Sequence, residues 1–399
     1  MLFLMRRARI PIETATGMQH VFTYFQGFGG VQTLLRQHLL ADPGFVRETS
    51  VLALLDSRAD GECPSVRTLR KLRFASARTL RKAFLEEARP SGTWIYHNFW
   101  GAALLADLDR ASRRIGFLHS SWPGYETIIA AHDGLFDGIL CGDEMMQAAV
   151  QFMLPGLPPE RVRSIAYPID VPPAASSEPL PRREALRIGF CGRIEVPQKR
   201  VDRIPEFVRL LDAEPFNWEF QVMGEGPALL DLRRQLGSHE RVRFLGRLSG
   251  DAYWQEIRSW DAIVFFSDYE GTPLALLGGM ACGVLPVYPR ISTGGDAYAS
   301  GIHPALLYKS GDVSGAVAAV RWIAEQPADA LENYRQKARH AIESHAPAEY
   351  MRTFHSFVKE VEALPAIASP RSRRGTVLDF LPLAAVLRLK PDWIFRSAS

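Results

Sequence analysis

The stretch DAIVFFSDYEGTPLALLGGMACGVLPV runs from Asp261 to Val287, and its reading decides the fold. The apolar run Ala262–Phe266 is a buried strand, and SDYEG is a loop. Thr272 and Pro273 then make a helix start, a hydroxyl N-cap followed by proline at the first helical position. The helix runs through PLALLGGMAC and stops at Gly283, with Pro286 beyond. Val284–Tyr288 is the next strand. The helix therefore begins at the carboxyl end of a strand, where free backbone N–H groups make an anion site. Glu270 stands two residues before the cap, either at the lip of a cleft or as a solvated loop glutamate beside an ordinary helix. Gly278 and Gly279 lie in the helix interior, where each glycine costs about 1 kcal/mol relative to alanine. Close packing or a ligand has to compensate.

Outward from this unit, short apolar runs alternate with helical patterns to about residue 348. Further strand candidates are His20–Tyr24, Thr49–Leu55, Thr93–Tyr96, Arg114–Leu118, Gly138–Cys141 and Val162–Ile165, then Leu186–Cys191, Glu219–Met223 and Val242–Leu245. Strands alternating with helices argue for parallel sheets covered on both faces. The run Tyr167–Ala185 is rich in Pro, Ser and Ala and has little periodicity, as in an interdomain linker. The expected organisation is an α/β chain with a first doubly wound domain at 1–171, a linker at 172–183 and a second domain at 184–348. The tail, 349–399, either packs back on the first domain or touches a membrane. In such sheets ligands bind beyond the carboxyl ends of the strands, here in the cleft between the domains.

Composition narrows the class. The 399 residues are 47% hydrophobic and 23% charged, ordinary for a globular protein, and the formal net charge of +3 does not imply nucleic acid. Four cysteines lie far apart, with no metal-ligand spacing, so no metal site is expected. That is a cytosolic pattern. The opening apolar run is too short for a signal peptide, and the longest uncharged stretch carries three prolines and four glycines. The expectation is a cytoplasmic protein, at most peripheral on the inner face of a membrane.

Four further constellations carry chemistry. In LRIGFCGRIEVPQKRVD, Leu186–Asp202, a strand ends at Gly192 and is followed by Arg193 and then Lys199, two cations suited to a diphosphate or simply exposed. In YFQGFGGVQTLLRQHLL, Gly29 and Gly30 precede a helix that starts near Val31 and let the backbone approach a ligand. His119 ends an apolar strand and is either a hydroxyl-binding group or a satisfied structural histidine. Finally, RTLRK occurs twice within Arg67–Glu87, eleven residues apart. As one helix, this segment puts Arg67, Arg70, Lys71, Arg78, Arg81 and Lys82 on one face, with Phe74 and Leu85 among them. That face is either solvated or lies on anionic lipid headgroups. No nucleic-acid module is present.

In order, FCGRIEVPQKRVD, FQVMGEGPALLDLRRQL and the Val242–Val287 segment resemble the retaining GT-B glycosyltransferases of the group-4 type. They match that family's Gly-Arg…Lys turn, Gly-x-Gly-Pro turn, Val-x-Phe-Leu-Gly strand and acidic-Gly-x-Pro helix start followed by MACGV. The resemblance implies two Rossmann-like domains facing a cleft and a nucleotide-sugar donor, with no cofactor and no obligatory metal. It implies that Arg193, Lys199 and the backbone of Thr272, Pro273 and Leu274 bind the diphosphate. Glu270 would contact the donor sugar, His119 would approach it from the first domain, and Gly224, Gly246 and Gly278 would lie near the nucleoside. The acceptor would be a glycan, a lipid-linked molecule or a small-molecule hydroxyl. One departure stands out: Gly278 occupies the place of the family's second glutamate, which grips the ribose. The alternatives are therefore a catalytically inactive binding protein on the same fold and a GT-B nucleotide-sugar epimerase.

Overall fold

The computed structural model describes residues 18–22, 30–41, 49–53, 66–68, 75–87, 92–99, 101–108, 112–170, 184–367 and 375–389. They form two parallel sheets. The first holds β1 (Met18–Phe22), β2 (Thr49–Ala53), β3 (Val66–Thr68), β4 (Thr93–His97), β5 (Arg113–Leu118), β6 (Gly138–Cys141) and β7 (Val162–Ser164), in the order β3-β2-β1-β4-β5-β6-β7. The second holds β8 (Leu186–Cys191), β9 (Trp218–Met223), β10 (Val242–Gly246), β11 (Ala262–Val264), β12 (Leu285–Arg290) and β13 (Leu307–Lys309), in the order β10-β9-β8-β11-β12-β13. Strand order reverses between β1 and β4 and again between β8 and β11, and a doubly wound sheet opens a crevice at each such point. Central strands are covered on both faces, and accordingly all of β4 is buried.

The second domain packs its sheet and helices around Phe207, Phe220, Trp260, Leu276 and Val287. The first domain has one core around Trp94, Tyr96, Phe99 and Ile139. On its other face, Leu34, Phe117 and Tyr167 meet Leu277 and Ala281 of the second domain and Phe354 of the Pro347–Ala363 helix. That helix carries the chain back across the first sheet. Thr93 donates to Glu362 at 2.6 Å, Arg163 pairs with Glu360 at 2.6 Å, and a Cβ on Gly138 would stand 2.7 Å from Val361. The chain thus passes between domains twice, and the two passages touch. The Ile169 amide donates to the His345 carbonyl at 2.9 Å, and the His345 ring lies 2.7 Å from the Tyr167 carbonyl.

The single basic helix over Arg67–Glu87 is not what forms. Arg67 lies in β3, an edge strand paired with β2, and the helix runs only from Ala77 to Glu87. Ser76 stops it from extending backwards, because its hydroxyl accepts from the Thr79 amide at 3.2 Å in the manner of an N-cap. The second RTLRK copy is helical and the first begins as strand; Arg70, Lys71 and Phe74 lie outside the described residues. Within the helix, Arg81 forks onto Asp107 at 2.6 and 2.9 Å, while Arg78 and Lys82 are exposed. Two short strands, β3 and β13, carry too little pattern to be anticipated. Residues 375–389 pack on the first domain: Leu383 and Val386 enter its core, and the Leu383 amide donates to the Ala75 carbonyl at 2.8 Å. The linker segment 172–183 lies outside the described residues.

Gly189 in β8 shows how tightly the second domain is built. A Cβ there would lie 2.0 Å from the Trp260 ring, and Trp260 cannot swing away because its Nε1 donates to Gln221 at 2.5 Å. Gly189→Ala is expected to lower the unfolding free energy by about 2 kcal/mol or more, measured by urea denaturation; an unchanged midpoint would contradict this packing.

Candidate active site

The crevice between β8 and β11 is bordered by the loops that leave those two strands. At this edge the turns after β8, β9 and β10 are stitched together. The Gly192 amide donates to the Met223 carbonyl at 3.1 Å, and the Gly224 amide to the Gly246 carbonyl at 2.8 Å. Gly224 has φ 143°, and a Cβ on it would stand 1.9 Å from the Gly192 carbonyl oxygen, so only glycine fits. Gly246, at φ 66°, has no atom within 4 Å of where its Cβ would be.

Glu270 is the centre of the arrangement, with only 4% of its surface exposed. One carboxylate oxygen accepts from the Lys199 ammonium and from the Ser267 hydroxyl, the latter at 2.6 Å. The other accepts from Gln198 Nε2 at 3.1 Å, and the same amide nitrogen donates to the Tyr269 carbonyl at 3.2 Å. Arg193 is half-exposed, pairs with Glu195 at 2.9 Å and donates to Gln198 Oε1 at 2.6 Å. A buried carboxylate that lost its cation would cost about 3–5 kcal/mol. Lys199 is thereby fixed beside Glu270, and Arg193 reaches it only through Gln198.

The helix behind this loop runs from Leu274 to Ala281. Pro273, not Thr272, takes the cap position, with φ −66° and ψ 128°. The Thr272 hydroxyl instead donates to the Gly142 carbonyl of the other domain at 3.4 Å, so the expected hydroxyl cap is replaced by an interdomain contact. Gly283, at φ 76°, terminates the helix as expected. The two glycines are explained by packing. A Cβ on Gly279 would meet Ile263 of β11 at 3.2 Å. A Cβ on Gly278 would meet the Tyr253 hydroxyl at 3.3 Å and the Trp254 ring at 3.5 Å, both on the Gly250–Arg258 helix. The space that a glycine leaves open at 278 is therefore filled by two aromatic side chains. With Leu277 and Ala281 in the core shared with the first domain, the helix is covered on every side.

From the first domain, Gly30 approaches the same helix start: a Cβ on it would stand 4.0 Å from Leu274 Cγ. Gly29 lies outside the described residues. Ser121 clamps the Glu270 carbonyl through its amide at 3.2 Å and its hydroxyl at 2.9 Å. The His119 carbonyl lies so close to Gly271 that a Cβ there would be 1.9 Å away. The His119 ring, however, points into the domain. Its Nε2 lies 2.7 Å from His97 Nδ1, its Nδ1 lies 2.8 Å from the Tyr167 hydroxyl, and His97 Nε2 lies 2.9 Å from His20 Nδ1. A neutral imidazole carries one N–H, so these contacts run in one direction along the chain. Burial lowers His119 and His20 to about 3, and holds His97 well below the usual range with help from its histidine neighbours. His119 thus reaches the cleft through its backbone.

Sequence reasoning did not single out Gln198, Ser267, Ser121 or Asp143. Asp143 follows β6 in CGDE and caps the Glu144–Met153 helix, accepting from the Met146 amide at 2.8 Å. It also accepts from the Gly294 amide across the domain boundary at 3.4 Å, and burial raises its pKa. Ser121, Tyr125, Asp143, Met146, Ser292 and Thr293 line a cavity of about 210 Å³ beside the Glu270 loop. The legible signal was position: these residues follow the carboxyl ends of β5, β6 and β12, which face the cleft. Among the described residues, no group of histidines, cysteines and carboxylates could hold a metal ion.

The family model for glycosyl transferases group 1 matches residues 185–326. The whole architecture is the GT-B fold, two parallel-sheet Rossmann-like domains. HepE of Anabaena, solved in complex with UDP-glucose, superposes with a TM-score of 0.67 at 14% identity, over 87% of this chain and 100% of that one. The lipopolysaccharide outer core galactosyltransferase WaaB in its apo form gives 0.63 at 16% identity, over 86% and 99%. The apo structure of OtsA gives 0.62 at 14%, over 88% and 100%. No match is found among curated protein sequences.

The second domain leans on a first domain whose buried histidines set an acid limit. Their folded pKa values lie below the unfolded value of about 6.5, so the unfolded chain binds more protons as pH falls. Stability is full above that value and is lost between pH 6.5 and the folded value near 3, by up to about 1.4 kcal/mol per pH unit for each such histidine. Urea midpoints should therefore fall steadily from pH 7 to pH 4.5, and His97→Gln should flatten that slope. An unchanged slope would remove the histidines as its cause.

Proposed function

We propose that the chain transfers a glycosyl group from a nucleotide-sugar to a hydroxyl acceptor with retention of configuration, as a group-4-type enzyme. The observation that carries this reading is the Glu270 carboxylate at the β8/β11 crevice, bonded to Lys199 and followed directly by a helix start. Lys199 has three N–H donors and spends one on Glu270, which leaves donors for a diphosphate oxygen. Arg193, half-exposed, supplies a second cation, and the backbone from Thr272 through Pro273 to Leu274 supplies the helix dipole. Together they neutralise the leaving diphosphate without a metal or cofactor. The fixed Glu270 carboxylate accepts hydrogen bonds from donor-sugar hydroxyls, and Ser121 with the His119 backbone closes the other side.

The nucleoside lies along Gly224 and Gly246, and beside Gly246 the edge is open. Tyr253 and Trp254 cover Gly278, so ribose contact in this chain does not come from residue 278. The cavity beside Asp143 takes the acceptor hydroxyl. The product is a polysaccharide or glycoconjugate, made in the cytoplasm at or near a membrane surface. The aromatic cover over Gly278 also favours a second reading, a binding protein without transfer activity.

Binding decides between these readings and their failure. UDP, GDP, ADP and TDP should be titrated by ligand-observed NMR without metal, UDP first because HepE is solved with it. One nucleotide is expected to bind selectively, and Lys199→Ala is expected to weaken it about tenfold or more. Glu270→Ala is expected to keep nucleotide affinity within a few-fold and to abolish sugar transfer or donor hydrolysis. Binding with no turnover in the wild type would favour the non-catalytic protein. Full activity in both variants, or no nucleotide bound by folded protein, would overturn the assignment.

A further inference from the structure

The described residues leave ten large apolar side chains exposed, and five of them lie on two elements that touch. Leu85, 59% exposed, belongs to the Ala77–Glu87 helix; Val377 at 81%, Phe380 at 64%, Leu381 at 43% and Leu389 at 84% belong to residues 375–389. The elements meet where Ser76 bridges Pro382 and where the Arg78 guanidinium lies 5.2 Å above the Phe380 ring.

The tail segment is firmly seated. Leu383 and Val386 are anchored in the first-domain core, and Thr376 and Asp379 form a reciprocal capping box that sets the turn around Val377–Phe380. Val377, Phe380, Leu381 and Leu389 face outward although Leu383 and Val386 already fill the core. On the neighbouring helix, Arg78, Lys82 and Leu85 follow one another at i, i+4 and i+7, which places them on one stripe. Arg78 and Lys82 are exposed on it. Ala77, Leu80, Ala83 and Phe84 take the opposite, buried face. The outer surface thus sets exposed apolar side chains beside two cations, Arg78 and Lys82.

We propose that this composite surface, and not a single basic helix, docks the protein on an anionic lipid bilayer. Apolar side chains gain by entering the boundary between headgroups and acyl chains, while arginine and lysine gain by facing anionic headgroups at the same depth. A protein partner would cover the apolar side chains but gives no reason for the cations beside them. Attachment is to the surface, since no described helix is long and apolar enough to cross a membrane. The proposal is separate from the reading of the cleft: a vesicle-binding face would stand whatever the cleft holds.

The test is sedimentation of the full chain with vesicles of phosphatidylcholine, with and without phosphatidylglycerol, at low and high salt. Wild type is expected to pellet with the anionic vesicles and to be released by salt. Val377→Ser/Phe380→Ser should weaken binding about tenfold or more, and Arg78→Gln/Lys82→Gln about thirtyfold. Both double variants should unfold like wild type, since exposed substitutions change stability little, and should bind nucleotide like wild type. Wild type that ignores both kinds of vesicle overturns the proposal. So does undiminished binding by both variants, or equal binding to neutral vesicles. A dimer seen by ultracentrifugation and lost in Val377→Ser/Phe380→Ser, without vesicle binding, would assign the surface to a second copy and also overturn it.

Discussion

A carboxylate removed from water is unstable by several kcal/mol unless a cation and hydrogen-bond donors replace its hydration. Glu270 has both, and they come from one short loop, through Gln198 and Lys199, with Ser267 completing the set. Its carbonyl, meanwhile, is gripped by Ser121 of the opposite domain. One residue therefore ties the turn after β8, the turn after β11 and the first domain together. The lie of the cleft depends on it, because Gly271 and Thr272 follow directly and make the next two interdomain contacts.

The parts of the fold that were legible are those where burial and local chemistry agree. Ala262–Val264 and the Leu274–Ala281 helix are covered on every side, so their apolar runs could only be interior elements, and Gly283 supplies the left-handed stop. The misreading over Arg67–Glu87 has the opposite cause. A charge repeat says nothing about burial, and an edge strand of three residues needs only a neighbour's free edge to form. Thr272 was misplaced by one position because its hydroxyl finds a carbonyl across the cleft, a contact between residues 130 positions apart in the chain.

The candidate site divides in the same way. Glu270, Lys199 and Arg193 were visible because each follows the carboxyl end of a strand, and strand ends can be read from hydrophobic runs. Gln198, Ser267, Ser121 and Asp143 are small or common polar residues whose meaning is set by what they face. Gly278 was visible as an oddity, but its cause, the aromatic pair Tyr253–Trp254, sits on a helix some 25 residues away. The histidine chain joins residues 20, 97 and 119, each unremarkable alone.

The two passages between the domains have a mechanical consequence. Tyr167 and Ile169, where the chain leaves the first domain, are bonded to His345, where it comes back, so exit and return are fastened at one place. Residues bonded in this way move together, so the return passage is held to the exit of the first domain. The Ser121–Glu270 and Thr272–Gly142 contacts are few and polar, whereas the apolar packing of Leu277 and Ala281 is shared with the helix that follows His345. These interdomain contacts stand one side chain from that junction, because the Tyr167 hydroxyl meets the His119 ring at 2.8 Å and fills the space beside Gly142.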